Sequence, residues 1–332
     1  MRTTNFNVVN YCVACRARCR YCLLSSCNRA TGVEYARGKR FARRVLEELR
    51  ETWPDIAANY YIGYCMDTPY LEDLLAFSRE MNLPAARFLQ MNGFGVRKEE
   101  EWASLMHMIK AAGVEMLDLT FFGSPQFHDA FAGRIGDFAI CEAMLRAAVA
   151  ADLAVNVSIP LLRDNLTQLS ELMNRLEGDG AKRLHFFSLS EKGRGAKIID
   201  QKITQEELEA LPDSVRAWLM KTPLRSEAQW IAAGEWSEPV GRSLGLVLTP
   251  SEMELFEKMS AGELLAFVEE KDDRFRASLP PVRELVALYG QPENTQLYRY
   301  RDLIHRWEQR YATEHGLYDM NDESHHFSNP IY

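Results

Sequence analysis

The sequence lacks any apolar run that approaches the roughly 18 residues a helix needs to span a bilayer. Its first residues, Met1 to Asn7, also lack the apolar core of a secretory signal peptide. We therefore expect neither membrane insertion nor secretion, and the predicted location is the cytoplasm. Internal repeats and low-complexity linkers are absent as well. With 332 residues, 47% of them hydrophobic, the chain is long enough to bury a large core.

The C-terminal third has fewer basic than acidic side chains. Residues 1–200 carry 25 basic and 24 acidic side chains, whereas residues 201–332 carry 14 basic and 23 acidic ones. Binding to a polyanion requires clustered positive charge, so this composition argues against a nucleic-acid partner. A negative surface favours a cationic or neutral partner instead.

The chain also lacks the features of the small secreted proteins in which cysteines form disulfides, because it is long and we expect no signal peptide. Five of its seven cysteines lie between Cys12 and Cys27, which favours metal binding. Cys15, Cys19 and Cys22 form a C-x3-C-x2-C motif, and three thiolates at that spacing can hold a cubic [4Fe-4S] cluster with its fourth iron open. A zinc site built from two C-x2-C pairs, which would add Cys12, is the alternative, but such pairs usually lie a dozen or more residues apart. Cys12 and Cys27 are then interpreted as ordinary thiols.

Strand and helix patterns alternate six times before residue 200. The predicted strands are 6–11, 56–63, 87–91, 115–122, 153–160 and 183–189, and the predicted helices are 35–52, 71–81, 99–112, 137–152 and 166–176. This alternation predicts an α/β fold, a partial (β/α)6 TIM-like barrel, whose chemistry lies at the C-terminal ends of the strands. The cysteine motif directly follows the first strand.

The remaining residues show a different pattern. Helices are predicted at 204–219, 249–258, 262–271, 282–289 and 297–315, and Pro212 is expected to shorten the first of them. The tail from Gly316 is polar, so we expect it to be frayed and dispensable for catalysis. We therefore predict two domains, with the cluster-bearing domain at residues 1–200 and a mostly helical C-terminal extension at residues 201–332.

The cysteine motif resembles the signature of the radical S-adenosylmethionine (radical SAM) superfamily, and further features at the strand ends strengthen the resemblance. It implies a [4Fe-4S] cluster on Cys15, Cys19 and Cys22, with Tyr21 beside the last thiol, and S-adenosylmethionine (SAM) on the open iron. The segment from Gly63 to Asp67 stands where the family has a Gly-Gly-Glu-Pro-like sequence, although the paired glycines are missing. The other residues that the resemblance places near SAM are Asn92 after strand three, Thr120 on strand four, Arg134 in a Gly-Arg-x-Gly loop and Arg194 after strand six.

The resemblance also implies the chemistry. Reductive cleavage of SAM would yield a 5'-deoxyadenosyl radical that abstracts hydrogen from a substrate, with flavodoxin or ferredoxin as the reductant. Cys65 is a candidate hydrogen-atom donor, with a small buried core residue as the alternative. No cysteine follows Cys141, so the auxiliary clusters of SPASM or Twitch extensions are not expected. The substrate is a peptide or, alternatively, a small metabolite or nucleobase, and a non-catalytic cluster-binding protein is the competing class.

Overall fold

The computed structural model describes residues 1–26, 29–82, 87–219 and 223–332 of an α/β protein with parallel sheets. The strands in this part of the chain are β1 (Thr3–Val9), β2 (Ala57–Tyr61), β3 (Phe88–Gln90), β4 (Met116–Thr120), β5 (Ala154–Leu161), β6 (Arg183–Ser188), β7 (Arg225–Ser226), β8 (Gly241–Val247), β9 (Leu297–Tyr298) and β10 (Phe327–Ile331). All six strands predicted before residue 200 are present. Cys27 lies outside the described residues.

The strands form two four-stranded sheets, in the orders β10-β8-β1-β2 and β3-β4-β5-β6, and a small pair of β7 with β9. Strands β8, β1 and β2 run parallel, as do all four strands of the second sheet, whereas β10 is antiparallel to β8. Among the described residues the two sheets are not joined into one closed sheet. The α/β class is therefore confirmed, while the partial barrel stays a prediction.

Helices separate the strands. They are α1 (Tyr35–Thr52), α2 (Leu71–Met81), α3 (Glu99–Ala111), α4 (Pro125–Ala132), α5 (Asp137–Ala150), α6 (Leu169–Gly178), α7 (Gln205–Glu209), α8 (Asp213–Arg216), α9 (Glu227–Ala233), α10 (Met253–Phe256), α11 (Ala261–Ser278), α12 (Val282–Tyr289) and α13 (Tyr300–Glu314). Two 3-10 helices cover Arg163–Gln168 and Gly193–Gln201. No described helix is long and apolar enough to cross a membrane.

Helix α1 illustrates how the sequence specifies these elements. The carboxylate of Glu34 accepts hydrogen bonds from the N–H groups of Ala36 and Arg37 at 2.8 and 2.9 Å, which satisfies two otherwise unpaired donors of the first turn. Phe41, Val45 and Leu49 recur at four-residue intervals and are all buried. A stripe at this spacing lies on one face of a helix, so α1 packs that face against the core.

The C-terminal third departs from the prediction. Strand β8 lies in the first sheet beside β1, and β10 adds the sheet's outer strand, so this region is not mostly helical. The tail is not frayed, because β10 is paired with β8 and Met320 and Ser328 are fully buried. The predicted helix at 204–219 is split into α7 and α8, with Pro212 immediately before α8. The domain boundary near residue 200 stays a prediction, and it separates β8 from the strand with which it pairs.

Candidate functional site

The cysteine loop, residues 10–34, connects β1 to α1. Cys15, Cys19 and Cys22 are half-buried free thiols on this loop, and Cys12 is a fourth. The loop follows the C-terminal end of a parallel strand, where the neighbouring strands β2 and β8 also end. Three thiols on one connection can therefore converge on a single group, and the assignment of Cys15, Cys19 and Cys22 as ligands stays a prediction.

Backbone contacts from several other loops hold the cysteine loop. The N–H groups of Arg18 and Arg20 donate to the carbonyl oxygens of Ala132 and Phe131 at 2.7 and 2.9 Å. The N–H of Arg16 donates to the carbonyl oxygen of Gly93 at 3.3 Å. The loop after β3 and the C-terminal end of α4 thus fix the stretch that carries the first two cysteines of the motif.

Arg194 fixes the second half of the cysteine loop. Its Nε donates to the carbonyl oxygen of Cys19 at 2.8 Å, its Nη1 donates to that of Ser26 at 2.7 Å, and its backbone N–H donates to that of Cys22 at 3.0 Å. Nη2 is buried without a hydrogen-bond partner among the described residues. The adjacent Gly193 has a φ of +53°, and a Cβ there would lie 2.2 Å from the carbonyl oxygen of Leu23. The predicted role of Arg194 beside SAM stays a prediction, whereas its contacts with the loop backbone are evident.

Cys15 is closely approached by the loop after β3. A Cβ on Gly93 would lie only 2.4 Å from its Sγ, and Gly93 has a φ of +72° that other residues rarely adopt. The buried thiol of Cys65 lies beside it, with its own Sγ 3.7 Å from the carbonyl oxygens of both Ala14 and Gly93. A hydrogen bond from Cys65 lowers the pKa of Cys15, and the same bond together with burial raises the pKa of Cys65. Cys65 therefore remains a protonated thiol next to a candidate ligand.

The other two motif thiols and Cys12 differ in their surroundings. Burial raises the pKa of Cys19 well above its usual value, and the nearby thiols add to this effect. Burial also raises the pKa of Cys12 to about 11. Thiols of this kind ionise when they bind a metal, whose charge replaces the lost solvation. The donor set, three free half-buried thiols on one fixed loop, fits a cubic cluster with one open iron.

A cavity of about 630 Å³ opens beside Cys15. It is lined by Cys12, Val13, Ala14, Cys15, Arg16, Asp67, Thr68, Pro69, Tyr70 and Arg134. Its volume lies within the range usual for small-molecule sites. Three residues predicted from separate parts of the sequence, Cys15, Asp67 and Arg134, therefore meet at one cavity.

The two charged residues of this cavity that the sequence predicted, Asp67 and Arg134, already have protein partners. Asp67 accepts a hydrogen bond from the N–H of Gly95 at 2.8 Å, its Oδ2 lies 3.2 Å from Arg16 Nε, and its Oδ1 pairs with Arg97. Arg134 donates to the carbonyl oxygen of Phe94, and its Nη1 lies 3.2 Å from Asp137 Oδ1. Neither Arg16 nor Arg97 was singled out from the sequence, because Arg16 is one of the unspecified positions between Cys15 and Cys19 and Arg97 lies in a loop without a recognisable motif.

Asn92 and Thr120 join the ends of β3 and β4. The Thr120 N–H donates to Asn92 Oδ1 at 3.2 Å, and Asn92 Nδ2 donates to the carbonyl oxygen of Thr120 at 3.4 Å. Tyr21 packs nearby, with its ring centroid 5.3 Å from that of Phe122. Gly63, after β2, has a φ of +100°, and a Cβ there would lie 3.2 Å from the Tyr11 ring. These predicted residues lie around the cysteine loop but do not line the cavity.

The His128–Asp129 pair has structural partners. His128 Nδ1 accepts from the N–H of Phe122 at 3.3 Å, so its Nε2 carries the proton that faces Asp137 Oδ2 at 3.2 Å. Asp129 accepts from the N–H groups of Gly136 and Phe138 and so caps the start of α5. Asp129 therefore has a local capping role.

The C-terminal tail reaches the site, which the sequence did not indicate. Tyr11 Oη donates to the carbonyl oxygen of Glu323 at 2.6 Å, and Tyr64 Oη donates to Glu323 Oε2 at 3.2 Å. Glu323 Oε1 also lies 3.7 Å from Lys192 Nζ, after β6. One tail residue thus contacts the cysteine loop and the segments that follow β2 and β6.

Comparison with known proteins gives one sequence relative and several structural ones. No family model matches the chain. Over 102 residues it is 31% identical to an AdoMet-dependent heme synthase of Oleidesulfovibrio alaskensis, a match that covers 30% of this chain and only 26% of that protein.

Two solved structures share the fold. Streptococcus suis SuiB bound to its precursor peptide SuiA has a TM-score of 0.52 at 11% identity, covering 78% of this chain and 62% of SuiB. The anSMEcpe structure with bound AdoMet and the Cp18Cys peptide has a TM-score of 0.51 at 13% identity, covering 94% of this chain and 97% of that one. At these identities the likeness shows the fold alone. Membership of the radical SAM superfamily is therefore a proposal, supported by the cysteine motif and by the partial match to the heme synthase.

Proposed function

We propose that the chain is a radical SAM enzyme that reductively cleaves SAM at a single [4Fe-4S] cluster and abstracts hydrogen from a substrate. The observation that carries the proposal is the meeting of Cys15, Asp67 and Arg134 at one cavity beside the cysteine loop. A thiol ligand, a carboxylate and a guanidinium there offer complementary partners for a cluster and for the amino-acid end of SAM.

We also propose that strands β1–β6, which are divided between the two four-stranded sheets, form one partial (β/α)6 barrel. Each sheet has an apolar face covered by helices and a second face with polar residues. On the first sheet, Asn7 Nδ2 donates to Ser243 Oγ at 3.1 Å, and Asn59 Nδ2 lies 3.5 Å from Asn7 Oδ1. Polar faces of this kind suit the interior of a barrel that receives polar ligands.

Each residue has a defined part in this proposal. Cys15, Cys19 and Cys22 hold the cluster, and Arg194 and Gly93 position the loop that carries them. Arg134 binds the SAM carboxylate and Asp67 orients the amine end, while Tyr21, Gly63, Asn92 and Thr120 shape the remainder of the SAM site. When bound, the reduced cluster supplies the electron that cleaves SAM to the 5'-deoxyadenosyl radical. Cys65 excludes water beside Cys15 and is the candidate hydrogen-atom donor.

A peptide is the first candidate substrate. Support comes from the two fold relatives, whose structures hold the peptides SuiA and Cp18Cys. The acidic balance of residues 201–332 favours a cationic peptide over RNA. A small metabolite or a nucleobase is the alternative substrate, and a reductant such as flavodoxin or ferredoxin is the expected partner. A cluster-binding protein without catalysis is the competing class.

The test is anaerobic reduction of the reconstituted protein in the presence of SAM, with 5'-deoxyadenosine quantified by chromatography. We expect iron near four per chain and formation of 5'-deoxyadenosine. A colourless protein with stoichiometric zinc contradicts the proposal, and a brown protein that leaves SAM intact favours the competing class.

The SAM site has its own test in Arg134→Ala. Loss of a charge-assisted hydrogen bond costs on the order of 1.5 to 3 kcal/mol, which weakens SAM binding by roughly tenfold or more. Arg146→Ala is the matched control, because Arg146 is an exposed arginine on α5 whose ion pairs among the described residues are with Glu142 and Asp179. If Arg134→Ala binds SAM as the control does, Arg134 does not contact SAM.

A further inference from the structure

The strands β4, β5 and β6 have two chemically different faces. One face is aliphatic and buried beneath the helices, with Leu117, Leu119, Val155, Val157 and Ile159 fully buried. The opposite face, here called the polar face, carries Asp118 on β4, Asn156 and Ser158 on β5, and His185 on β6. Asp118, Asn156 and His185 remain partly exposed although they lie mid-strand. This face is therefore accessible to a ligand.

Asp118 is the centre of the polar face. Its Oδ1 accepts hydrogen bonds from Asn156 Nδ2 at 2.6 Å and from Ser158 Oγ at 2.9 Å. Its Oδ2 has only a long contact with Ser158 Oγ, at 3.3 Å. The neighbouring strand β5 thus fixes the carboxylate by one oxygen and leaves the other available to accept a hydrogen bond.

No lysine or arginine side chain among the described residues forms an ion pair with Asp118. Several other buried carboxylates have such partners; for example, Asp67 pairs with Arg16 and Arg97, and Asp137 pairs with Arg134. Burial raises the pKa of the Asp118 carboxyl, whereas the bonds from Asn156 and Ser158 act in the opposite direction. A half-buried carboxylate without a cation carries a desolvation cost that a cationic ligand would offset.

His185 does not supply that cation at neutral pH. Its ring lies near Asp118 on β6, but burial lowers its pKa below the usual value. Its ring stacks on that of Phe187, with 6.3 Å between the centroids. The polar face therefore presents one carboxylate, neutral hydrogen-bonding groups and an aromatic surface.

The polar face continues to the cysteine loop. Phe187 lies two residues after His185, and its ring centroid is 6.2 Å from that of Tyr21, the residue before Cys22. Thr120, placed near SAM in the proposed function, lies two residues after Asp118 and so points to the same side of β4. A ligand held at Asp118 would therefore extend toward the region where the proposed chemistry occurs.

We propose that Asp118, held by Asn156 and Ser158, binds a positively charged group of the substrate, an ammonium or guanidinium such as a lysine or arginine side chain provides. This inference rests on the proposed function and specifies the substrate class of the same site. Asp118 Oδ2 accepts the hydrogen bond, and Phe187 packs against the aliphatic part of the bound side chain. Asp118 positions the substrate and takes no part in bond breaking.

The test is calorimetric titration of the anaerobic, cluster-loaded protein with SAM present. The probes are acetyl-Gly-Xaa-Gly-amide peptides in which Xaa is lysine, arginine, norleucine or glutamate. We expect the lysine or arginine peptide to bind roughly tenfold or more tightly than the norleucine peptide, and the glutamate peptide to bind more weakly still. Asp118→Asn should abolish this preference, while Asp164→Asn, the same change at an exposed position, should retain it.

Iron content and SAM affinity report whether Asp118→Asn is folded, and Asp118→Glu provides a second variant that keeps the charge and should retain part of the preference. A wild-type protein that does not distinguish the lysine, arginine and norleucine peptides, or that binds none of them, overturns the proposal. So does a folded Asp118→Asn variant that keeps the preference. Formation of 5'-deoxyadenosine without substrate is measured in parallel. If the wild type forms no 5'-deoxyadenosine, the proposed function itself is contradicted. If it forms 5'-deoxyadenosine but shows no preference for the cationic peptides, only this inference is contradicted.

Discussion

Replacement of Gly93 by alanine tests whether the position of Cys15 is set by the loop after β3. Gly93 has a φ of +72°, and an added Cβ would lie 2.4 Å from Cys15 Sγ. Sulfur and carbon at that separation overlap strongly, so Sγ would have to retreat by about 1 Å to reach ordinary van der Waals contact. Such a retreat is opposed by the bond from the Arg16 N–H to the Gly93 carbonyl and by Cys65 beside the thiol.

Two costs follow from this geometry. The positive φ costs an alanine on the order of 1 to 2 kcal/mol in folding stability wherever it occurs. The overlap with Sγ is specific to Gly93 and displaces a candidate cluster ligand, and a displacement of about 1 Å at a reactive site can cost roughly a hundredfold in rate. We therefore expect Gly93→Ala to lose iron and 5'-deoxyadenosine formation to nearly the level of Cys15→Ala.

Gly234→Ala is the matched control. Gly234 has a φ of +62° at the end of α9, and an added Cβ there would meet nothing within 4 Å. Both variants should lose similar stability in chemical denaturation, but Gly234→Ala should bind iron as the wild type does. If Gly93→Ala retains full iron and the wild-type cluster spectrum, the close approach of Gly93 does not position Cys15 and this reasoning is wrong.

Three further predictions concern the ligands, a buried histidine and the tail. Replacement of Cys15, Cys19 or Cys22 by alanine should abolish iron binding, whereas the Cys12→Ala and Cys27→Ala variants should still bind iron. Equal iron loss in Cys12→Ala would contradict the ligand assignment. Burial lowers the pKa of His305 well below its usual value, so the unfolded chain takes up a proton near pH 6.5 that the folded chain does not, and stability falls as the pH drops below that value. His305→Leu should therefore flatten the pH dependence of the unfolding free energy between pH 7 and 5 by up to about 1.4 kcal/mol per pH unit, and an unchanged slope would contradict this. Truncation after residue 315 should yield aggregated protein rather than an active enzyme, because it removes β10 and exposes the edge of β8 with which β10 pairs. A soluble truncated chain with wild-type melting behaviour would refute this.

The first 200 residues were predictable because their signals are local. Each of the six strands is a short apolar or alternating segment, and α1 and α2 have an apolar stripe at helical spacing with bounds that match the prediction. Strand β8 escaped detection because Gly241 and Gly245 weaken its strand pattern. Its place is set by parallel pairing with β1, more than 230 residues earlier in the chain.

The site shows the same division between local and distant signals. Spacing within one loop predicted the three thiols, and the strand-end motifs predicted that Asp67 and Arg134 belong to one site. The partners of Asp67 were not predictable, because Arg16 and Arg97 reach it from two different loops. Asp118 was overlooked because a single acidic residue within a strand carries no motif, and its meaning appears only when Asn156 and Ser158 are brought beside it by strand pairing.

The tail shows why polar composition failed as an indicator of fraying. Residues 321–326 are polar, but distant residues bind some of their polar groups: Asn321 accepts from Arg276 at 3.0 Å and donates to Glu308 at 2.9 Å. Pro330, which would disrupt a central strand, is tolerated in β10 because that strand lies at the edge of its sheet. The ordered tail carries Glu323 to Tyr11 of the cysteine loop and to Tyr64 after β2. These contacts depend on pairing between segments that are far apart in the chain, which is why no local feature of the sequence revealed them.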